Sequence, residues 1–320
     1  MRVAQTLRHF IGPLELIHEQ TGPGLLRLAR IGIFALWIFK LLLDPLWRLA
    51  EMPRELYQPV GILALLPATA VDQFLTWNGL AALWIFTLGV LVIGLTEKAF
   101  ALTSLAAAFL LTVYSSLIRS YGPAVHTDVV LLLAVYALTA FAWADWIQEK
   151  FGAARSTATN LRTNSSSYPL ITIVAMLCLS YCLVGLNRAI AGGIGVFTGD
   201  TMEIWAIDAS LRGYYFNTNI GWHLPEWPLV VLMLRAGLPF ITLFEITAPL
   251  CLAWPRYRWI FIPVMLSFHL LSLVLMNIFF FDDMLLYLLL IDWSRRFRVL
   301  RNSTYEPGVG SSSSDVSSSR

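Results

Sequence analysis

Four ionisable residues lie within or at the ends of apolar stretches long enough to cross a bilayer: His126, Arg188, Glu245 and His269. An ionisable group in hydrocarbon costs about 2.5–3.5 kcal/mol on insertion scales, so each needs a partner, a polar cavity or a function. His269 is flanked by Leu266, Phe268 and Leu270 and must hydrogen-bond inside a helix bundle or line a polar cavity. Glu245 follows Arg235 by ten residues. On one helix that is a rise of about 15 Å, too far for a direct ion pair. Glu245 therefore needs a partner from another helix, or it is protonated. His126 and Arg188 sit at the outer ends of two helices. An arginine and two imidazoles opening on one outward-facing cavity could hold an anionic head group or stabilise a developing oxyanion. Lys40 and Asp44 stand four apart and read as an intrahelical ion pair.

The elements that must position these groups are apolar helices. Of the 320 residues 58% are hydrophobic and only 13% charged, half the proportion of a soluble domain at about 25%. The expected fold is all-α, a polytopic transmembrane bundle. Spans are expected at 31–47, 76–95, 99–118, 129–147, 169–188, 228–253 and 259–279, with a shorter return at 283–293, about eight in all. The run Phe279-Phe280-Phe281-Asp282-Asp283 leaves little room for an ordinary turn, which suits a re-entrant corner buried in protein. Arginine and lysine concentrate before the first span, after the fourth, after the sixth and after the last, so both termini are expected in the cytoplasm. A net charge of +2 gives no reason to expect nucleic acid as a partner.

Three regions follow. Residues 1–30 form a cytoplasmic amphipathic segment. Residues 31–293 form the membrane domain, with a cap at 189–227 on the outer side. Residues 294–320 are a basic, then serine-rich tail expected to be disordered. Cys178, Cys182 and Cys251 fall in apolar segments and act as small hydrophobes; no metal site is expected. No internal repeat is visible, which argues against a secondary transporter. A recognisable targeting segment is also lacking, which points to a bacterial plasma membrane.

These positions belong to motifs that resemble the horizontally transferred transmembrane (HTTM) domain family, which includes the vitamin K-dependent gamma-carboxylases. The resemblance covers residues 25–293. It runs through Leu28-Ala29-Arg30-Ile31-Gly32 with Asp44, Glu55-Leu56-Tyr57-Gln58-Pro59-Val60-Gly61, His126 and Tyr181-Cys182-Leu183-Val184-Gly185-Leu186-Asn187-Arg188. It continues with Phe244-Glu245, Pro249, Phe268-His269 and Asn277-Ile278. The resemblance implies an active-site region containing His126 and His269, a reduced quinone as cofactor, and a base at the position held here by Arg188. The carboxylase has lysine there. Arginine stays protonated, so it cannot replace a lysine base, and glutamate carboxylation is not expected. What remains is a pocket for a lipid-soluble or quinone-like ligand, with His126, Arg188 and His269 in the reacting positions and Asn187, Glu245 and Asn277 as binding residues. Whether chemistry occurs is left open by the sequence. The alternative is a non-catalytic membrane protein that contacts a partner protein or peptide through 189–227.

Overall fold

A computed structural model of the protein describes residues 23–121, 128–151, 168–212, 220–278 and 280–291. His126, residues 1–22 and residues 292–320 lie outside them. Every regular element among the described residues is helical. Six helices are long and apolar enough to cross a membrane: Trp77–Leu95, Phe100–Tyr121, Val129–Phe151, Tyr168–Thr198, Pro228–Ile246 and Pro255–Met276. The protein is therefore a multi-pass membrane protein.

In chain order the helices are α1 (Pro23–Leu43), α2 (Ala68–Phe74), α3 (Trp77–Leu95), α4 (Phe100–Tyr121), α5 (Val129–Phe151) and α6 (Tyr168–Thr198). They continue with α7 (Thr201–Arg212), α8 (Pro228–Ile246), α9 (Leu250–Ala253), α10 (Arg258–Met276) and α11 (Phe281–Leu286). Helix α1, at 21 residues, is longer than the two shortest of the six, but Arg27, Arg30 and Lys40 make it less apolar. Its buried face (Ile33, Phe34, Trp37, Leu41) joins the main core, with residues of α4, α5 and α6. Large apolar side chains such as Ile85, Phe86 and Leu183 remain outside, as lipid contact requires.

Local chemistry sets the boundaries. Thr76 caps α3, its hydroxyl accepting from the Gly79 amide at 3.2 Å. Helix α8 stops at Ile246, not at 253 as the apolar run suggests. Pro249 is the reason, since its ring clashes with a carbonyl four residues back and it has no N–H to give. Helix α10 ends on Asn277, which adopts a left-handed conformation (φ 57°) and donates its amide to Leu273 O. Asparagine tolerates that conformation better than most residues.

Two departures from the sequence reading bear on function. First, α6 continues ten residues past Arg188, and its path breaks at Gly193 (φ 55°, ψ −161°), where glycine is the suitable residue. The described part of 189–227 is thus largely helical: the end of α6, then α7, then a 3-10 turn at Ile220–Glu226. Ala206, Leu224, Leu234, Leu238 and Leu275 give it a small core of its own against α8 and α10. Arg235 of α8 ties it down through Asp200 and Glu203, with Nε 2.8 Å from Glu203. Second, the final apolar stretch is α11 followed by a 3-10 turn at Tyr287–Leu290. Ten helical residues rise roughly 17 Å, about half a bilayer core.

Candidate functional site

One face of α6 carries Tyr181, Gly185 and Arg188 at helical spacings of four and three. Gly185 is the contact point with α8: a Cβ there would stand 2.9 Å from Glu245 Cβ and 3.0 Å from the Ile246 amide. The two helices touch because nothing larger than hydrogen lies between them.

That approach brings Arg188 to Glu245. Arg188 Nη1 lies 2.5 Å from Glu245 Oε2, and Nη2 lies 3.2 Å from Oε1. Nη1 also donates to the Thr242 hydroxyl at 3.2 Å, and that hydroxyl donates onward to Leu238 O at 2.8 Å. Glu245 is 2% exposed. The interhelical partner that Glu245 requires is Arg188, in two-toothed geometry. The charge of Arg188 is thereby matched, so an incoming anion would have to compete with Glu245. Towards the end of α6, Asn187 and Arg188 line an open groove of about 330 Å³ with Ala191, Gly192, Val196 and Trp205.

Two turns back along α6, a rise of about 10 Å from Arg188, lies a second centre. His269 of α10 is 2% exposed. Its Nε2 lies 2.8 Å from the Tyr181 hydroxyl and 2.8 Å from the Tyr287 hydroxyl. Tyr287 donates to Tyr181 across 2.6 Å, closing a triangle of three heteroatoms. The other ring nitrogen, Nδ1, is buried and without a hydrogen-bond partner. Phe261 and Phe280 wall the site, Phe280 with its ring centroid 4.8 Å from the imidazole. An apolar groove runs between α8 and α10 on the next face, lined by Met233, Leu238, Ile241, Phe268 and Leu271.

A third group adjoins the triangle. Asp283, one turn before Tyr287 on the same segment, is buried with its Oδ1 unpartnered. Asp282 is wholly buried and receives Lys40 Nζ at 3.3 Å. Lys40 thus reaches outside its own helix, its ammonium crossing 242 residues of sequence to α11. Asp128, at the entrance to α5, is held by Ser115 and Arg119 of α4.

Of the residues singled out by sequence, Arg188 and Glu245 meet at one place, exposed Asn187 lies beside Arg188 on the groove, and His269 occupies another place. Asn277 is buried, and its evident role is the left-handed helix cap described above. His126 lies outside the described residues. Tyr181, Thr242, Tyr287 and the carboxyl pair Asp282–Asp283 were not chosen as site residues. For the tyrosines a usable signal existed: Tyr181 stands seven before Arg188, and Tyr287 four after Asp283, so each shares a helical face with a charge.

No family model matches the sequence, and neither a curated protein nor a solved structure matches it. Chemical inference therefore rests on the geometry. Among the described residues no group of three or more histidine, cysteine, aspartate or glutamate side chains is arranged to hold a metal ion. What the second centre offers is a neutral-hydroxyl network around an imidazole, suited to binding an oxygen and moving protons rather than to gripping a permanent charge.

Proposed function

We propose that this protein is an HTTM-type integral membrane protein that binds a lipid-soluble ring bearing a hydroxyl or carbonyl oxygen, such as a quinone or its reduced form, at His269. The observation that carries this reading is an imidazole buried among phenols, with one ring nitrogen unpartnered and an apolar groove alongside for a hydrocarbon tail. In a bilayer such a polar group persists at a cost, which function offsets. Glutamate carboxylation is not part of the proposal, because Arg188 is an arginine matched to Glu245.

The same proposal has eight passes and both termini in the cytoplasm. Arg27 at the start of α1 pairs with Glu97 at the end of α3 at 3.0 Å, which supports α1 as a full crossing antiparallel to α3. Arg258 at the start of α10 donates to Leu290 O at 3.2 Å, while Lys40 holds Asp282 at the other end of that segment. Both contacts fit a stretch from Asp282 to Leu290 that runs along the bundle as the start of an eighth pass. The partner-binding alternative draws on exposed Ile204, Trp205, Trp222 and Trp227 in the cap. An interfacial aromatic belt presents the same residues.

The test is binding of a short-tailed naphthoquinone, oxidised and reduced, to purified protein in lipid nanodiscs, followed by quenching of tryptophan fluorescence. Saturable quenching that is lost in His269→Gln while the variant still purifies as a folded protein supports the reading. Quenching no greater than that by simple partition into the lipid, or unchanged in His269→Gln, removes it. Specific protein crosslinks from position 222, in place of quinone binding, would favour the partner alternative.

A further inference from the structure

Two buried N–H groups near the turn between α3 and α4 have no acceptor among the described residues: Arg30 Nε and Trp143 Nε1. Contacts between helices bring them to one place. The Arg30 guanidinium lies over the ring of Phe100, the first residue of α4, 4.6 Å from its centroid. Thr139 of α5 donates to Ser104 O of α4 at 3.1 Å, and Ser115 donates to Asp128, so the two helices run antiparallel. Trp143 lies one turn past Thr139 on the same face of α5, and Phe100 lies one turn before Ser104 on α4. Trp143 is therefore level with the ring that carries Arg30. Trp37 holds α1 against α5 by donating to Leu131 O at 3.4 Å.

The helix ends leave a recess at this level. Helix α3 stops at Leu95 and α4 starts at Phe100, whereas α1 begins seven residues before Arg30 and α5 continues eight residues past Trp143. Each extension rises roughly 10–12 Å past the level of Phe100. A second cation stands on the rim: Lys150 Nζ is 5.1 Å from the centroid of Trp146, whose ring lies 5.0 Å from that of Trp143. What the recess lacks is a negatively charged acceptor. Arg30 stays protonated in a protein. Of the carboxylates that act on it, Glu97 is engaged by Arg27 at 3.0 Å and Asp145 is exposed. A buried N–H with no acceptor carries its full desolvation cost, so an occupant with several anionic oxygens would satisfy both donors at once.

We propose that this recess between α1, α4 and α5 binds an anionic phosphate group, with Arg30 Nε and the Trp143 indole N–H donating to its oxygens. A tetrahedral phosphate has oxygens enough for both donors and a charge to match the guanidinium. Such a group is carried by a phospholipid head or occurs free in solution, and the surroundings favour the lipid. Leu28 and Leu102, two residues from Arg30 and from Phe100, are 63% and 59% exposed and offer contact to acyl chains. Arginine, lysine and tryptophan grouped near helix ends are also the side chains that meet lipid headgroups. The site is separate from His269 and independent of the quinone reading.

Native mass spectrometry of the full-length protein, released from detergent with increasing phosphatidylglycerol, tests the site. A first phosphatidylglycerol should bind more tightly than those that follow, and the diacylglycerol with the same chains should not displace it. Arg30→Gln and Trp143→Phe should each weaken that first lipid about tenfold, the scale of one hydrogen bond to a charged group. Lys98→Gln removes the same charge from an exposed position in the α3–α4 turn and should change it less than about threefold. If Arg30→Gln fails to fold, Arg30→Lys keeps the charge without the Nε–H and should still weaken binding. Retention against inorganic phosphate supports the site with a lipid as its occupant, and displacement by inorganic phosphate supports it with free phosphate. No tightly held first lipid, equal binding by the Arg30, Trp143 and Lys98 variants, or displacement by diacylglycerol overturns the proposal.

Discussion

The two polar centres on the buried face of α6 differ in how completely they are satisfied. At the one nearer the end of α6, Arg188, Glu245 and Thr242 match charge with charge and donor with acceptor. At the other, an imidazole and two phenol hydroxyls crowd together while His269 Nδ1 and Asp283 Oδ1 stay without partners. In a hydrocarbon surround a closed network holds helices in register, and an open one leaves groups able to take a ligand. The first centre reads as a clamp between α6 and α8. The second is the site the proposed function uses. Substitutions at the two should therefore fail differently, the first in folding and the second in binding.

The largest effect is expected from Glu245→Ala. It strands the Arg188 guanidinium beside a 2%-exposed position and should destabilise the protein by about 3–5 kcal/mol, the usual cost of breaking a buried pair. Thermal denaturation followed by size-exclusion chromatography would show it as early aggregation. Replacing both partners with apolar residues, Arg188→Met with Glu245→Leu, should recover most of the loss. A double variant as unstable as Glu245→Ala would mean that Arg188 has work beyond the clamp, which would blur the contrast between the centres.

Gly185→Val comes next. The added atoms meet Glu245 Cβ at 2.9 Å and the Ile246 backbone at 3.0 Å, so the helices must separate. Overpacking of this kind costs about 1–3 kcal/mol. Because Tyr181 lies one turn away on the same face, separation should also weaken quinone binding. That distinguishes Gly185→Val from a clamp variant in which α6 stays in place, and a binding curve measured beside the melting curve would show whether both move.

The outline of the bundle was legible because bilayer thickness imposes a length that apolar runs either meet or miss. Expected spans at 76–95 and 129–147 became helices at Trp77–Leu95 and Val129–Phe151. The need of Glu245 for an interhelical partner was equally readable, since Arg235 stood too far away on its own helix. Its identity was not, because helix-to-helix contacts are chosen by Gly185 and the facing side chains rather than by spacing. Lys40 teaches the same lesson: Asp44 at i+4 was readable from spacing, whereas the contact of its ammonium with the distant Asp282 was not. The helical character of 189–227 was obscured by Gly192-Gly193 and by a composition rich in aromatic and small residues.

The smallest stability effects should mark the sharpest functional contrast. Thr242→Val and Tyr181→Phe each remove one buried hydroxyl, from the clamp and from the triangle. Interhelical hydrogen bonds in membranes average about 0.6 kcal/mol, so both variants should melt close to the unmodified protein. Binding separates them. Thr242 serves a guanidinium that keeps two bonds to Glu245, so Thr242→Val should bind the naphthoquinone as before. Tyr181→Phe removes the hydroxyl that touches His269 Nε2 and receives the Tyr287 proton, so two sides of the triangle are lost. Weaker quinone binding in that variant alone is the expected result. Equal binding by both would show that the triangle, despite its unpartnered nitrogen, is only a second structural clamp.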